Sequence, residues 1–225
     1  EQADSYTLQV SVIPTQVVES YTRIFTESGL IPLSFEIEAQ AIARAVIKKG
    51  DLGTYMVVDF GKTRTGISII SGGAVFFTST IEIGGVSLTE AIAKEFEVDD
   101  DVAEKMKREQ GLGQEKNNKK VFSAIITTVS TLRDEINKHF IYWHTHKDVD
   151  QYVKRPIEKI LLCGGDSNLH GLTDYLAQSM RIKVEPADVW VNVPMPKKYI
   201  PKVTCSDSLT YATAIGLALA ENIND

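Results

Sequence analysis

Cysteine is scarce in this sequence, which contains Cys163 and Cys205 and no other among its 225 residues. Two cysteines are too few for a disulfide framework, and they leave a zinc site built from thiolates incomplete. They indicate a protein whose thiols stay free in a reducing compartment such as the cytoplasm. The class of small secreted domains held together by disulfides is therefore excluded.

A strong basic charge and a long apolar run are also missing. The formal net charge is -6, so no general positive field attracts nucleic acid or an anionic membrane. No apolar stretch approaches the roughly 20 residues that a membrane-spanning helix needs. No signal-peptide pattern opens the sequence. We therefore expect no nucleic-acid partner and no direct insertion into a membrane.

Apolar spacing predicts strands and helices in alternation along the whole sequence, which is typical of an α/β fold. The first elements are a strand over residues 6–13, a helix with Thr15 as its N-cap, and a strand containing Leu33, Phe35 and Ile37. Together they predict a β-α-β unit. The next elements are an alanine-rich helix (38–48), a strand before Asp59 and a hairpin turning at Gly72-Gly73. A helix after Gly85 with a Ser87–Glu90 capping box follows, and then helices over 99–110 and 119–146. The last elements are a strand over 157–163, a helix over 169–180, a strand over 182–185, and a helix from Asp207 or Ser208 to Ala220.

The pattern Asp59-x-Gly61-x-x-x-Thr65 directly follows a buried strand. An acid at a strand end, beside a glycine and threonines, is typical of sites that hold a metal-bound triphosphate, because carboxylate oxygens suit a hard cation. An ordinary β-hairpin turn is the alternative interpretation. The neighbouring motifs along the sequence decide between the two.

Three further motifs bear on Asp59, and each has a structural alternative. Gly164-Gly165 lies between a strand and a helix, where the backbone can approach a phosphate at the helix N-terminus; a ligand-free turn is the alternative. Glu104 and Lys107 lie three apart on one helix face and could hold ribose hydroxyls or form a surface salt bridge. Glu38 opens a helix, where it could face a cleft or satisfy the helix dipole.

In this order the motifs resemble those of the actin-like ATPase superfamily, whose ribonuclease H-like fold binds ATP between two domains. Six motifs follow the superfamily's order over residues 30–220, which is far more specific than any one of them. They are the first connecting helix (38–44), the phosphate 2 loop (59–65), a glycine-containing segment (83–89), an Ala-Glu-x-x-Lys helix (103–107), the adenosine motif (162–172) and the second connecting helix (211–219).

Within the superfamily, the first 39 residues are similar to the PilM family of type IV pilus assembly. The similar segments are Ser11-Val12-Ile13-Pro14, Gly29-Leu30-x-Pro32 and Phe35-Glu36-Ile37-Glu38-Ala39. The resemblance implies a cytoplasmic, nucleotide-regulated scaffold at the inner membrane. Such a scaffold recruits a PilN-like membrane protein, whose short cytoplasmic peptide docks between subdomains 1A and 1C. Self-association is a further property that the resemblance allows.

Two other members of the superfamily remain as alternatives. One is an FtsA-like division protein that polymerises at the membrane, for which an amphipathic tail is expected. The other is a sugar or acetate kinase, for which a polar substrate-binding insertion is expected. The sequence shows neither feature.

The resemblance also implies a division into domains, with a partial first domain in residues 1–52 and a complete second domain in residues 53–225. The second domain comprises subdomain 2A (about 53–90 and 155–206), subdomain 2B (about 91–154) and the connecting helix (207–222). The superfamily's phosphate 1 loop, another Asp-x-Gly motif, is absent from this sequence. We therefore expect the C-terminal portion of a longer protein that is at most a slow ATPase, and little or no hydrolysis by this portion alone.

The superfamily's site roles transfer to this sequence residue by residue. Asp59 would hold a magnesium-bound water, and Glu38 would orient the attacking water. The remaining contacts to Mg²⁺-ATP would come from Gly61, Lys62, Thr63 and Thr65 at the phosphates, Glu104 and Lys107 at the ribose, and Gly164, Gly165 and Asn168 on the adenosine side.

Overall fold

The computed structural model describes residue 10 and residues 12–113, 119–146, 155–196 and 198–220. A mixed five-stranded sheet in the order β3-β2-β1-β4-β5 forms its centre. The strands are β1 (Thr54–Phe60), β2 (Thr65–Ser71), β3 (Ala74–Ile81), β4 (Lys159–Cys163) and β5 (Val184–Pro186). Strands β1, β2 and β3 form an antiparallel meander, whereas β4 runs parallel to β1 and β5 runs parallel to β4. The predicted α/β class is confirmed.

The described part of the chain also contains eight α-helices. They are α1 (Thr15–Glu27), α2 (Glu38–Val46), α3 (Gly85–Phe96), α4 (Asp100–Gln110), α5 (Lys119–Thr145), α6 (Leu172–Met180), α7 (Cys205–Ser208) and α8 (Ala212–Ala218). Short 3-10 turns cover Gly165–Asn168 and Leu209–Tyr211.

Strand β1 is buried on both faces, as the central strand of such a sheet must be. Successive side chains of a strand point to opposite faces. Met56 and Val58 accordingly belong to a core formed with α3, α4, α5 and α6, while Tyr55 and Val57 belong to a second core with α2 and α8. Asp59 has the same parity as Val57, so the sheet directs its carboxylate towards the side on which α2 lies.

Helices α2 and α8 cross with their backbones in contact. A Cβ atom on Gly216 would lie 1.8 Å from the carbonyl oxygen of Ala41, so only glycine fits at this crossing. Arg44 reinforces it, because Nη1 of Arg44 donates to the Gly216 carbonyl at 2.7 Å and its guanidinium pairs with Glu36 at 2.6 Å. The small residues of α2 predicted a close approach of two backbones, and the crossing shows one.

The predicted β-α-β unit at the start is wrong in its second strand. Residues 31–37 are not part of any strand, and Leu33 is 80% exposed. Of the predicted first strand, residues 6–9 and 11 lie outside the described residues, and Val10 and Val12 form no strand. A strand needs a neighbour for its backbone hydrogen bonds, and within the described ranges no segment pairs with residues 31–37.

Three predicted helix ends also need correction. Pro14 is the N-cap of α1 and Thr15 is its first residue, since proline's fixed φ suits a helix start. Helix α3 begins at Gly85, two residues before Ser87, so the Ser87–Glu90 capping box does not form. The last predicted helix is divided into α7, a 3-10 turn and α8, and its N-cap is Thr204.

Candidate functional site

A cleft of about 790 Å³ opens at the carboxyl ends of β1 and β4. Parallel strands in an open α/β sheet place their carboxyl ends at one edge, which is where such sheets bind ligands. Nine of the predicted site residues line this cleft: Glu38, Asp59, Gly61, Lys62, Glu104, Lys107, Gly164, Gly165 and Asn168. Residues spread over more than a hundred positions of sequence are therefore brought to one place.

Asp59 and the double-glycine turn are held together by the pairing of β1 with β4. Asp59 is the register partner of Cys163, the last residue of β4. Gly164 follows with φ of 87°, and a Cβ at that position would lie 2.5 Å from Oδ1 of Asp59. Glycine is thus required twice, by the backbone conformation and by the carboxylate beside it.

The Asp59 carboxyl lies in an environment that resists its ionisation. Burial and, to a smaller extent, the negative charge of Glu38 raise the pKa of Asp59 from 3.8 to about 6. The Cys163 thiol, which donates a hydrogen bond to the carboxylate, and the positive charge of Arg64 act in the opposite direction. Burial and the Asp59 charge raise the pKa of the Cys163 thiol well above its ordinary value, so the thiol remains a donor.

Glu38 reaches the cleft from the first residue of α2 and is held by two other elements. Its Oε1 accepts a hydrogen bond from the Thr213 hydroxyl at 3.2 Å. Its Oε2 lies 3.6 Å from Nη2 of Arg64, which belongs to the turn after β1. The carboxylate is half-exposed, so it stays accessible to water and to a ligand in the cleft.

Lys107 has a different environment from the one predicted. Its side chain is 4% exposed, and Nζ lies 2.6 Å from Oδ1 of Asp166, 2.8 Å from Oε2 of Glu104 and 3.1 Å from the Gly85 carbonyl oxygen. An ammonium group has three N–H donors, so these acceptors use all of them. The structure therefore places Lys107 as a buried link between α4, α3 and the turn after β4, with no donor left for a ribose hydroxyl.

Glu104 lies at the exposed side of the same network. Its Oε2 also accepts from the Thr89 hydroxyl at 2.7 Å, and its Oε1 pairs with Nε of Arg108 at 2.8 Å. Desolvation alone would raise the pKa of Glu104, but hydrogen bonds from Lys107, Thr89 and Arg108 outweigh it and lower the pKa to about 2. Glu104 is therefore a fixed anion at the cleft wall.

Two predicted phosphate ligands lie outside the cleft lining. Thr65 is fully buried, and its hydroxyl donates to the Ile83 carbonyl at 2.6 Å. This hydrogen bond ties the start of β2 to the segment before α3. Thr63 is exposed on the turn and does not line the cleft. The turn itself is anchored, since the Gly85 and Val86 amides donate to loop carbonyls at 3.0 and 2.8 Å.

Asn168, at the end of the double-glycine turn, lines the cleft next to α7. Its side-chain amide donates to the Ser206 carbonyl at 2.8 Å and so ties this turn to α7. A Cβ on Gly165 would lie 3.2 Å from the Thr210 hydroxyl, which leaves little room between the turn and the segment before α8. The wall is thus built from residues far apart in sequence.

A protein-family profile described as "Type IV pilus assembly protein PilM" matches residues 1–222. The chain belongs to this family. Among solved structures, the chain resembles one described as "PilM-PilN type IV pilus biogenesis complex". The match has a TM-score of 0.72 and 23% identity, and it covers 91% of this chain. It spans 57% of the length of that protein.

Two other solved structures extend the resemblance to the actin-like fold. The ethanolamine utilization protein EutJ from Carboxydothermus hydrogenoformans matches with a TM-score of 0.61 and 18% identity, covering 89% of this chain and 60% of that protein. MreB5 of Spiroplasma citri bound to ADP matches with a TM-score of 0.68 and 14% identity, covering 93% and 66%. These likenesses show the predicted actin-like fold. Comparison with curated proteins gives no significant sequence match.

Three residues that contact the predicted site residues were not predicted from the sequence. Asp166 directly follows the double glycine, so its position in that motif was a usable signal. Arg64 lies within the predicted phosphate loop, which also marked it. Thr213 had no local signal, since it contacts Glu38 from 175 residues away. Within the described ranges, no helix has both the length and the apolar character to cross a membrane.

Proposed function

We propose that the cleft binds ATP with magnesium and that the protein is a nucleotide-regulated scaffold of type IV pilus assembly. The observation that carries the proposal is the meeting of Asp59, Glu38 and the Gly164-Gly165 turn in one cleft. Its volume of about 790 Å³ falls within the roughly 300–1,000 Å³ that is typical of small-molecule sites. Membership of the PilM family supports the biological setting.

The residues present fit a magnesium ion that is held mainly by its nucleotide. In the described part of the chain, no three His, Cys, Asp or Glu side chains are grouped to hold a metal. Magnesium usually keeps several waters and takes one or two carboxylates together with substrate phosphates. Asp59 offers such a carboxylate. A cation beside it would offset both the desolvation cost of its negative charge and the repulsion between that charge and Glu38. When bound, the ion would neutralise phosphate charge.

The chain's own residues would then have separate tasks. Asp59 would accept hydrogen bonds from metal-bound water, while Gly61 would let the triphosphate approach the turn. Glu38, which is held by Thr213, would orient a water towards the terminal phosphate, since phosphoryl transfer depends mainly on positioning and electrostatics. Lys62 would contribute a positive charge at the cleft mouth.

On the nucleoside side, we assign ribose binding to Glu104 and a positioning role to Lys107. Glu104 is anionic and partly exposed, so its oxygens can accept from ribose hydroxyls. Lys107 holds it from within the protein. Gly164 and Gly165 would allow the nucleoside to lie against the backbone, and Asn168 would border it on the α7 side.

The test is a calorimetric titration of ATP into the protein at its full natural length, with magnesium and with a chelator. We expect measurable binding with magnesium and a loss of at least about tenfold in affinity without it, because the carboxylates of the cleft repel a bare triphosphate. Absence of ATP binding under both conditions would contradict the proposal.

We further propose that the scaffold recruits the cytoplasmic peptide of a PilN-like inner-membrane protein beside α1. The solved relative is described as a complex of PilM with PilN. Helix α1 carries an apolar stripe whose side chains are substantially exposed in the described chain, among them Val17 (43%), Tyr21 (52%) and Ile24 (56%). A peptide with apolar anchors would cover this stripe.

The matched test compares Ile24→Asp with Thr22→Asp, which is on the same helix but off the stripe. Titration of the synthetic cytoplasmic peptide of the PilN-like protein should show binding that Ile24→Asp removes and Thr22→Asp retains. Equal affinities for both variants and the parent protein would exclude α1 as the docking surface.

A further inference from the structure

The backbone of Arg64 is anchored next to the cleft, and its side chain pairs with Glu38. Arg64 is the last residue of the turn after β1, and the Gly61 amide donates to its carbonyl at 3.1 Å. Its guanidinium lies 3.6 Å from Oε2 of Glu38, and its charge lowers the pKa of Asp59. The same cation therefore acts on the residue proposed to hold the metal-bound water and on the residue proposed to orient the attacking water.

The contact between Arg64 and Glu38 is one that a ligand can replace. The Arg64 side chain is 63% exposed and that of Glu38 is 50% exposed. Exposed ion pairs contribute little to stability, because solvent screens them and both side chains lose freedom. A terminal phosphate offers more charge than a carboxylate, and it accepts two parallel N–H bonds from a planar guanidinium.

We propose that Arg64 senses the terminal phosphate of a nucleoside triphosphate. Without a triphosphate, the guanidinium pairs with Glu38 and partly neutralises it. With a triphosphate, the guanidinium turns to the terminal phosphate and releases the Glu38 carboxylate to face water. The residue thereby couples recognition of a triphosphate, as opposed to a diphosphate, to the state of Glu38. This inference rests on the nucleotide site proposed above.

The test measures the affinities of a non-hydrolysable β,γ-imido ATP analogue and of ADP, each with magnesium, in the protein at its full natural length. The variants are Arg64→Ala, Arg64→Lys and the control Arg23→Ala, which removes an exposed arginine from α1. Arg64→Ala should lower the affinity for the triphosphate analogue by about tenfold, which is the loss expected when a hydrogen bond to a charged group is removed. Binding of ADP should change by less than about twofold. The affinity of Arg64→Lys for the analogue should lie between those of the parent protein and Arg64→Ala, because lysine keeps the positive charge but lacks the planar guanidinium.

The control variant should match the parent protein for both ligands. Equal losses for analogue and ADP in Arg64→Ala would overturn the inference, since they would indicate a general charge effect. Unchanged affinity for the analogue would overturn it as well. If the parent protein binds neither nucleotide, the proposed function itself fails, and this result is distinct from the other two because it appears before any substitution.

Discussion

The ammonium of Lys107 lies 2.6 Å from Oδ1 of Asp166, and this buried ion pair joins α4 to the turn that follows β4. Its two partners are 59 residues apart, so the pair fixes the relative position of two walls of the cleft. The Gly85 carbonyl and Glu104 complete the set of acceptors. The side of the cleft that we propose to bind the nucleoside is therefore held in place by Lys107, whose three donors are already used within the protein.

Replacing Lys107 with methionine should destabilise the protein by about 3 kcal/mol, because it leaves the Asp166 charge without its buried partner. Lys105→Met is the matched control on the same helix, since Lys105 is 74% exposed and its pair with Glu109 spans 3.9 Å. Urea unfolding of both variants checks the prediction. A Lys107→Met variant as stable as Lys105→Met would show that the network contributes nothing.

Gly216→Ala should separate α2 from α8 and destabilise the protein by about 1–3 kcal/mol, the usual cost of overpacking. The added Cβ has no room beside the Ala41 carbonyl. Gly66→Ala serves as the control, because its Cβ would meet nothing closer than Cβ of Asp59 at 3.7 Å. Thermal melting of the two variants distinguishes them, and similar midpoints would contradict the close crossing.

Asp59→Asn should stabilise the ligand-free protein near pH 7.5 and have no effect near pH 3.5. The pKa of Asp59 is raised from 3.8 to about 6, so the folded state binds this proton more tightly than the unfolded state. Stability contributed by the protonated form is therefore lost as pH rises from about 4 to 6. The asparagine avoids this loss, which amounts to about 3 kcal/mol.

Denaturant titrations across that pH range give the measurement for Asp59→Asn. The difference in unfolding free energy between the variant and the parent should grow between pH 4 and 6 and then level off. A constant difference at all pH values would show that Asp59 ionises as easily in the folded protein as in the unfolded chain.

The sequence predicted the centre of the fold and of the cleft because the relevant signals are local. An apolar run ending at Asp59 and another ending at Cys163 marked two buried strands, and Gly164-Gly165 marked the turn beside them. Parallel pairing then brings these ends together without further information. The small residues of α2 likewise predicted its close contact with a neighbour.

The remaining features depend on partners that are distant in sequence. Spacing alone placed Glu104 and Lys107 on one helix face, but it could not show that Asp166 and Gly85 surround the lysine. Thr65 has a hydroxyl group that could bind a phosphate, but in the structure this hydroxyl donates a hydrogen bond to the Ile83 carbonyl. The residues around Leu33 alternate as a strand does, although alternation provides no neighbour to pair with.

The central claim is that Asp59 anchors a magnesium-dependent nucleotide site, and the direct measurement is a calorimetric titration of Mg²⁺-ATP into Asp59→Ala and the parent protein at full natural length. The account predicts binding by the parent and none detectable for the variant. Thermal melting must show the variant folded, so that its loss reports the site alone. An Asp59→Ala variant that binds Mg²⁺-ATP with the parent's affinity would contradict the account.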